Sequence, residues 1–252
     1  MSNIKTVIRE VTGGVWTFSR PFLRHNFLAI GGRSTAIKLS NGGVWILAST
    51  TLDEPTRKAI DALGPVHYLI GADSVHYMFL GEFQKAYPEA KLLTVEAVAN
   101  KAKELNIRVD GFWSDAIPDQ EFGFEDDIKS CYFSGFKNKD VAFLHKSSRT
   151  LIEADLLFNS PCAEQYSMYS WPWSRGKQIF GLFGGADPWS GLAQFLAKML
   201  GKSDPEAMRR DAKTVAEWDF DRIIPCHGDV IETRGNDGWR TAYTHWLQPE
   251  KK

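Results

Sequence analysis

Apolar and polar side chains alternate over residues 15–18 and again over 35–39, the period of a half-buried strand. Asn41-Gly42-Gly43 is a turn signal, and the apolar run 44–47 behind it predicts a buried strand, so 35–47 read as a hairpin. A helix follows. Asp53 caps it, Pro55 suits its first turn, Ala59, Ile60 and Leu63 share a face, and Gly64 stops it. Next come a strand at 67–70, a loop at 71–75, a helix over 79–87 ended by Pro88, a strand at 91–95 and a helix over 96–106. Residues 110–127 are acidic and read as loop, whereas 130–136, 141–144 and 150–152 read as strands around a turn at 145–149.

The pattern then changes. Residues 160–203 hold Trp171, Trp173 and Trp189 among several glycines and prolines, and read as an irregular insertion ending in a helix over 191–200. Asp204-Pro205-Glu206 starts another helix, with Met208, Ala212, Val215 and Ala216 on one face. A short strand at 222–225 leads into Cys226-His227-Gly228-Asp229. Strands toward both ends with helices between predict a layered α/β fold, sheets inside and helices outside.

Composition narrows the function classes. The 252 residues are 43% hydrophobic, which suffices for a large core and argues against disorder. Lys and Arg total 30 against 31 Asp and Glu. That near balance argues against nucleic acid as the main partner. Cys131, Cys162 and Cys226 are too few and too scattered for a disulfide framework. The first residues carry no apolar signal core, and no apolar run is long enough to span a membrane. A cytoplasmic protein with a small-molecule substrate is expected, with a homodimer as one arrangement of the Trp-rich face.

Three histidines fall at strand–loop junctions: His76, His145 and His227. Asp73 and Asp155 lie at similar places, and imidazoles with carboxylates suit Zn, Fe or Mn better than Ca or Mg. His227-Gly228 after a short apolar strand puts an imidazole on a tight turn; a structural turn histidine reads equally well. Asp155 ends an apolar run, where a carboxylate is expensive to bury without a cation or donors. His145 belongs to the hairpin turn and is expected to anchor it through Ser147 or Ser148. Cys226 beside His227 reads as packing rather than as a nucleophile.

Three stretches resemble the metallo-β-lactamase fold, an αββα sandwich. Residues 140–158 are similar to its hairpin ending in a metal-bridging aspartate, residues 222–228 to its last strand with a terminal histidine ligand, and residues 68–76 stand in the place of its HxHxDH loop. The likeness implies a single domain over 1–252, with 160–203 as an insertion or lid. It also implies losses. Gly71, Asp73 and Val75 stand at loop ligands if His76 is the last histidine; a one-residue gap would put His76 at the aspartate instead. Phe136 stands where the family has its middle histidine, and the aspartate of an early strand end is missing from 47–50.

What survives in the resemblance is His76, Asp155 and His227, which would hold one divalent metal ion, Zn first with Fe or Mn as alternatives, or none. Asp73 would be a fourth ligand or the base, and Phe136, Trp171 and Trp173 would contact substrate. The implied activity is hydrolysis of a small or medium apolar ester or lactone. The alternative is a metal-free member that binds a small molecule, or a non-hydrolytic one: a pseudoenzyme, isomerase or oxidoreductase.

Overall fold

The computed structural model describes residues 4–24, 28–118, 120–169 and 185–249. The chain opens with β1 (Val7–Thr12) and β2 (Val15–Arg20), an antiparallel hairpin, then a small two-stranded arch, β3 (Leu23–Arg24) with β4 (Leu28–Ala29). Next come β5 (Gly32–Lys38), β6 (Val44–Leu47), α1 (Glu54–Asp61), β7 (Val66–Ile70), α2 (Leu80–Ala86), β8 (Lys91–Val95), α3 (Glu96–Ala99), α4 (Ala102–Leu105) and β9 (Gly111–Trp113). β1-β2-β5-β6-β7-β8-β9 form one sheet, antiparallel as far as β6 and parallel from β6 to β9.

The second sheet runs β10 (Ile128–Tyr132), β11 (Val141–His145), β12 (Thr150–Glu153) and β13 (Arg222–Pro225). Between its last two strands lie α5 (Ala163–Tyr166), α6 (Gly191–Leu200) and α7 (Pro205–Ala216); α8 (Gly235–Ala242) and α9 (Thr244–Leu247) follow β13. β10, β11 and β12 are antiparallel, whereas β12 and β13 are parallel.

Period-two alternation in the second sheet builds two cores at once. Val141, Phe143, Ile152 and Ile224 face the first sheet, where Phe143 meets Trp45 edge-on at 5.0 Å. Their neighbours Ala142, Leu144, Leu151 and Ile223 face the other way, against Met208, Ala212 and Val215 of α7 and Trp239 of α8. Two facing sheets with helices outside make the expected αββα sandwich. α6 lies in the helical layer, with Ala193 and Ala197 buried in the same core.

Local chemistry explains most element boundaries. The Asp53 carboxylate accepts the Thr56 N–H at 3.0 Å, and Asp204 accepts the Glu206 and Ala207 N–H groups at 3.1 Å, so α1 and α7 start where the capping residues predict. Three expectations need correction: the strand expected over 130–136 is β10, which ends at Tyr132, and 133–136 form a turn. The helix expected over 96–106 is two single turns, α3 and α4, and the second ends on Asn106 in the left-handed region at φ 51°. The stretch 110–127 contains a strand, β9, which is short and pairs only with β8; its Trp113 is buried against Phe143.

Candidate metal centre

β12 and β13 run in register, with Glu153 opposite Pro225. Two residues beyond that pair, Asp155 and His227 lie side by side, with His227 Nε2 3.3 Å from Asp155 Oδ1. The third group comes from the other sheet. β7 ends at Ile70, and the loop after it brings His76 Nε2 to 3.2 Å from His227 Nε2. The site therefore sits between the sheets at the carboxyl ends of parallel strands, where layered α/β folds open a crevice.

Each imidazole is committed on its far side. His227 Nδ1 is 2.6 Å from the Gly31 carbonyl oxygen, which only accepts, so the proton of neutral His227 is on Nδ1. His76 Nδ1 is 2.7 Å from Asp73 Oδ2, while Asp73 Oδ1 accepts the Val75 and His76 N–H groups. Both rings thus aim Nε2 inward. Asp155 Oδ2 accepts Asn138 Nδ2 at 2.5 Å, and its Oδ1 is buried without a hydrogen-bond partner. Donors held about 2.0–2.1 Å from a tetrahedral zinc ion lie about 3.3 Å from one another. Two edges of the donor set, 3.2 and 3.3 Å, match that spacing, and all three donor atoms lie within 4.8 Å of one another, so a small inward shift of His76 toward Asp155 would complete such a site.

The electrostatics point the same way. Burial alone would lower the His76 pKa, but the charges of Asp73 and Asp155 and the Asp73 hydrogen bond outweigh it and push it up to about 10. Burial would raise the Asp155 pKa; the cationic forms of His76 and His227, with help from Arg24, hold it well below the usual carboxylate range instead. The centre thus favours positive charge among its three inward atoms, whether as a proton on His76 or as a cation. Behind it, burial pushes Asp140 and Glu153 well above the usual carboxylate range. Asp140 accepts the backbone N–H groups of Val141 and Asp155 at 2.7 and 2.6 Å, so it shapes the turn that carries Asp155.

The turn around His227 is held from behind. Gly228 has φ 99°, and a Cβ there would lie 2.1 Å from the Asn159 carbonyl oxygen, so only glycine fits. Arg33 of β5 is fully buried and donates from Nη1 to the Pro225 and Gly228 carbonyls at 2.7 Å each. Its Nε donates to Ser19 Oγ and its Nη2 pairs with Glu164 at 3.2 Å. The His227 ring lies between Phe158, stacked at 5.6 Å, and Phe22 at 6.1 Å.

The sequence-predicted residues divide sharply. His76, Asp155 and His227 come together as a group that could hold a metal ion, with His76 Nε2 3.2 Å from His227 Nε2. Asp73 is corrected from base or fourth ligand to positioning residue: it is fully buried, and both its oxygens are occupied by its own loop. Phe136 is also corrected. It is fully buried in the core under α7 and lines neither cavity beside the centre, because its turn folds away from the sandwich interior. Trp171 and Trp173 lie outside the described residues. His145 bonds Ser148 Oγ at 2.7 Å and Ser147 Oγ at 3.2 Å, as a turn anchor. Cys226 is buried in the core and its thiol is pushed up by burial, which suits packing rather than nucleophilic attack.

No family model matches the sequence, and no curated protein matches it. Solved structures do. A metallo-β-lactamase from Hirschia baltica superposes with a TM-score of 0.64 at 10% identity, covering 98% of this chain and 100% of that one. The chain has the metallo-β-lactamase fold. A metallo-β-lactamase from Erythrobacter litoralis, with β-mercaptoethanol in its active site, matches at TM-score 0.63 and 10% identity over 97% of this chain and 99% of its own. Another from Pseudomonas aeruginosa, in a mono-zinc form, matches at 0.58 and 10% over 98% and 99%. At such identity the metallo-β-lactamase fold is common ground, and the chemistry has to be argued from the residues.

Arg33, Asn138, Asp140 and Gly31 are the site residues that sequence reasoning missed. Arg33 had a signal: Arg33, Ser34 and Thr35 are three consecutive polar residues, all buried, inside a strand. Gly31 and Asn138 act through a backbone carbonyl and a turn amide, which leave no pattern along the chain.

Proposed function

We propose that the protein is a hydrolase of small or medium apolar esters or lactones with a mononuclear metal centre on His76, Asp155 and His227. One observation carries this reading: three inward donor atoms face one another, with Nε2 of His227 3.2 Å from one and 3.3 Å from the other, and Asp155 Oδ1 is buried without a hydrogen-bond partner. A divalent ion held there would supply Lewis-acid polarisation of a carbonyl and a water acidified to a pKa of about 7. The chain's own residues do the rest. Asp73 fixes the His76 tautomer, Gly31 fixes that of His227, and Asn138 keeps one Asp155 oxygen turned away so that the other faces inward. Phe22 and Phe158 stack beside the buried His227 ring. The three free cysteines support a reducing, cytoplasmic setting, and among the described residues no helix is long and apolar enough to cross a membrane.

The test is elemental analysis of protein purified without a His-tag or chelator, followed by an ester and lactone screen. About one equivalent of Zn, Fe or Mn, lost in His76→Ala or His227→Ala together with the activity, is expected. Protein that takes up no metal even from Zn²⁺ or Mn²⁺ solutions overturns this reading. It would leave the alternative, metal-free binding of a small molecule.

A further inference from the structure

Two cavities open beside the triad, and they meet at it: Arg24, Ile30 and His227 line both. The smaller, about 120 Å³, lies under Phe22, Val75, Met78 and Phe79 and reaches His76 and Asp155. The larger, about 240 Å³, is walled by Leu28, Ala29, Phe158, Leu196 and Leu200. A cavity of about 150 Å³ already holds a benzene ring, so the larger one accommodates a ring with a short chain.

Outside the triad, Arg24 is the charged side chain in this lining, which also carries the hydroxyls of Ser49 and Ser160. It is exposed, and its side chain makes no hydrogen bond or ion pair among the described residues. It is the charged side chain shared by both cavities, and its field reaches Asp155. Arg24 alone among the lining side chains outside the triad carries a charge, and that charge attracts an anion. A guanidinium matches the geometry of a carboxylate with two parallel N–H donors, and it gains most beside an apolar wall that excludes water.

We propose that the site selects an apolar acyl compound with a carboxylate head, the head on Arg24 and the apolar body in the larger cavity. This specificity rests on the hydrolase reading for turnover, because a body seated there places a neighbouring carbonyl at the triad junction; binding alone does not need the metal.

The experiment is calorimetric titration with 4-phenylbutyrate and its neutral twin 4-phenylbutyramide, in excess EDTA so that the carboxylate has no metal to bind. The carboxylate is expected to bind about tenfold tighter than the amide, the scale of one charge-assisted pair. Arg24→Gln should abolish that difference, Arg24→Lys should keep part of it, and high salt should shrink it. Arg24 is exposed, so these variants keep the fold. Leu196→Trp, checked for an unchanged melting transition, should weaken both ligands by filling the cavity. Equal binding of the two compounds, a preference that survives Arg24→Gln, or no binding of either overturns the proposal. Charge-selective binding without metal uptake or hydrolysis sinks the hydrolase reading and leaves the selectivity standing. Metal-dependent hydrolysis with no preference for the carboxylate does the reverse.

Discussion

Arg33 holds His227 without touching it. Its guanidinium grips the carbonyls of Pro225 and Gly228, which bracket the Cys226-His227 pair, and so fixes the path of the turn that presents the imidazole. Arg33→Met strips both carbonyls and leaves Glu164 with Arg9 as its remaining cation. We expect it to cost about 3–5 kcal/mol in urea unfolding, the scale of breaking a buried ion pair from one side. Arg33→Lys restores the charge but cannot reach all the acceptors, so it should recover only part. A loss under 1 kcal/mol for Arg33→Met would show that the clamp is dispensable.

Asp73→Asn tests the orientation of His76. The amide can turn its NH₂ toward the ring, and the imidazole then moves its proton to Nε2, the atom needed inside the centre. Zinc affinity, measured by competition with a chromophoric chelator, should fall about 10- to 100-fold. Far-UV circular dichroism should not change, because Asn can still accept the Val75 and His76 N–H groups. Unchanged zinc affinity would mean that Asp73 does not set the tautomer.

Gly228→Ala and Gly42→Ala separate crowding from backbone strain. Both glycines have positive φ, 99° and 85°, but a Cβ at Gly42 meets nothing within 4 Å. Gly42→Ala should cost about 1–2 kcal/mol, the strain of the left-handed region alone. Gly228→Ala should cost clearly more, about 3–5 kcal/mol, since the Asn159 backbone must also move. Equal losses in chemical denaturation would contradict the 2.1 Å approach.

Asp211 on α7 gives stability a pH dependence far from the metal centre. Burial raises its pKa to about 6, and the hydrogen bond and charge of Arg210 only partly offset that. The folded state therefore holds this proton more tightly than the unfolded chain does. The favourable contribution is complete below about pH 4 and is lost as pH rises to about 6. Asp211→Asn removes the titration. Its unfolding free energy relative to wild type should thus rise between pH 4 and pH 7, by about 1–3 kcal/mol. A difference independent of pH would place the Asp211 pKa at its ordinary value.

Much of this was legible along the chain, for identifiable reasons. Short apolar strands such as β11 and β12 stood out because both their faces are buried, each side chain in one of two cores. His227 and Asp155 stood out because each closes a short apolar strand. His76 was visible as a residue but not in its alignment, since only the packing of the two sheets decides which loop atom reaches the centre. Phe136 was misread because a position inherited from a resemblance says nothing of which way a turn folds, and here it folds into the outer core. Asn138 left no mark along the chain and Arg33 only a run of polar residues inside a strand, because they act on atoms 17 and almost 200 positions away.

The parallel pairing of β12 with β13 has a consequence for how the molecule matures. Donors 155 and 227 are set beside each other by one ladder, and β13 is the edge strand, delivered long after the rest of its sheet. Until β13 docks, a nascent chain brings together only His76 and Asp155 of the three donors. On the proposed reading, ion capture would wait until the sandwich has closed.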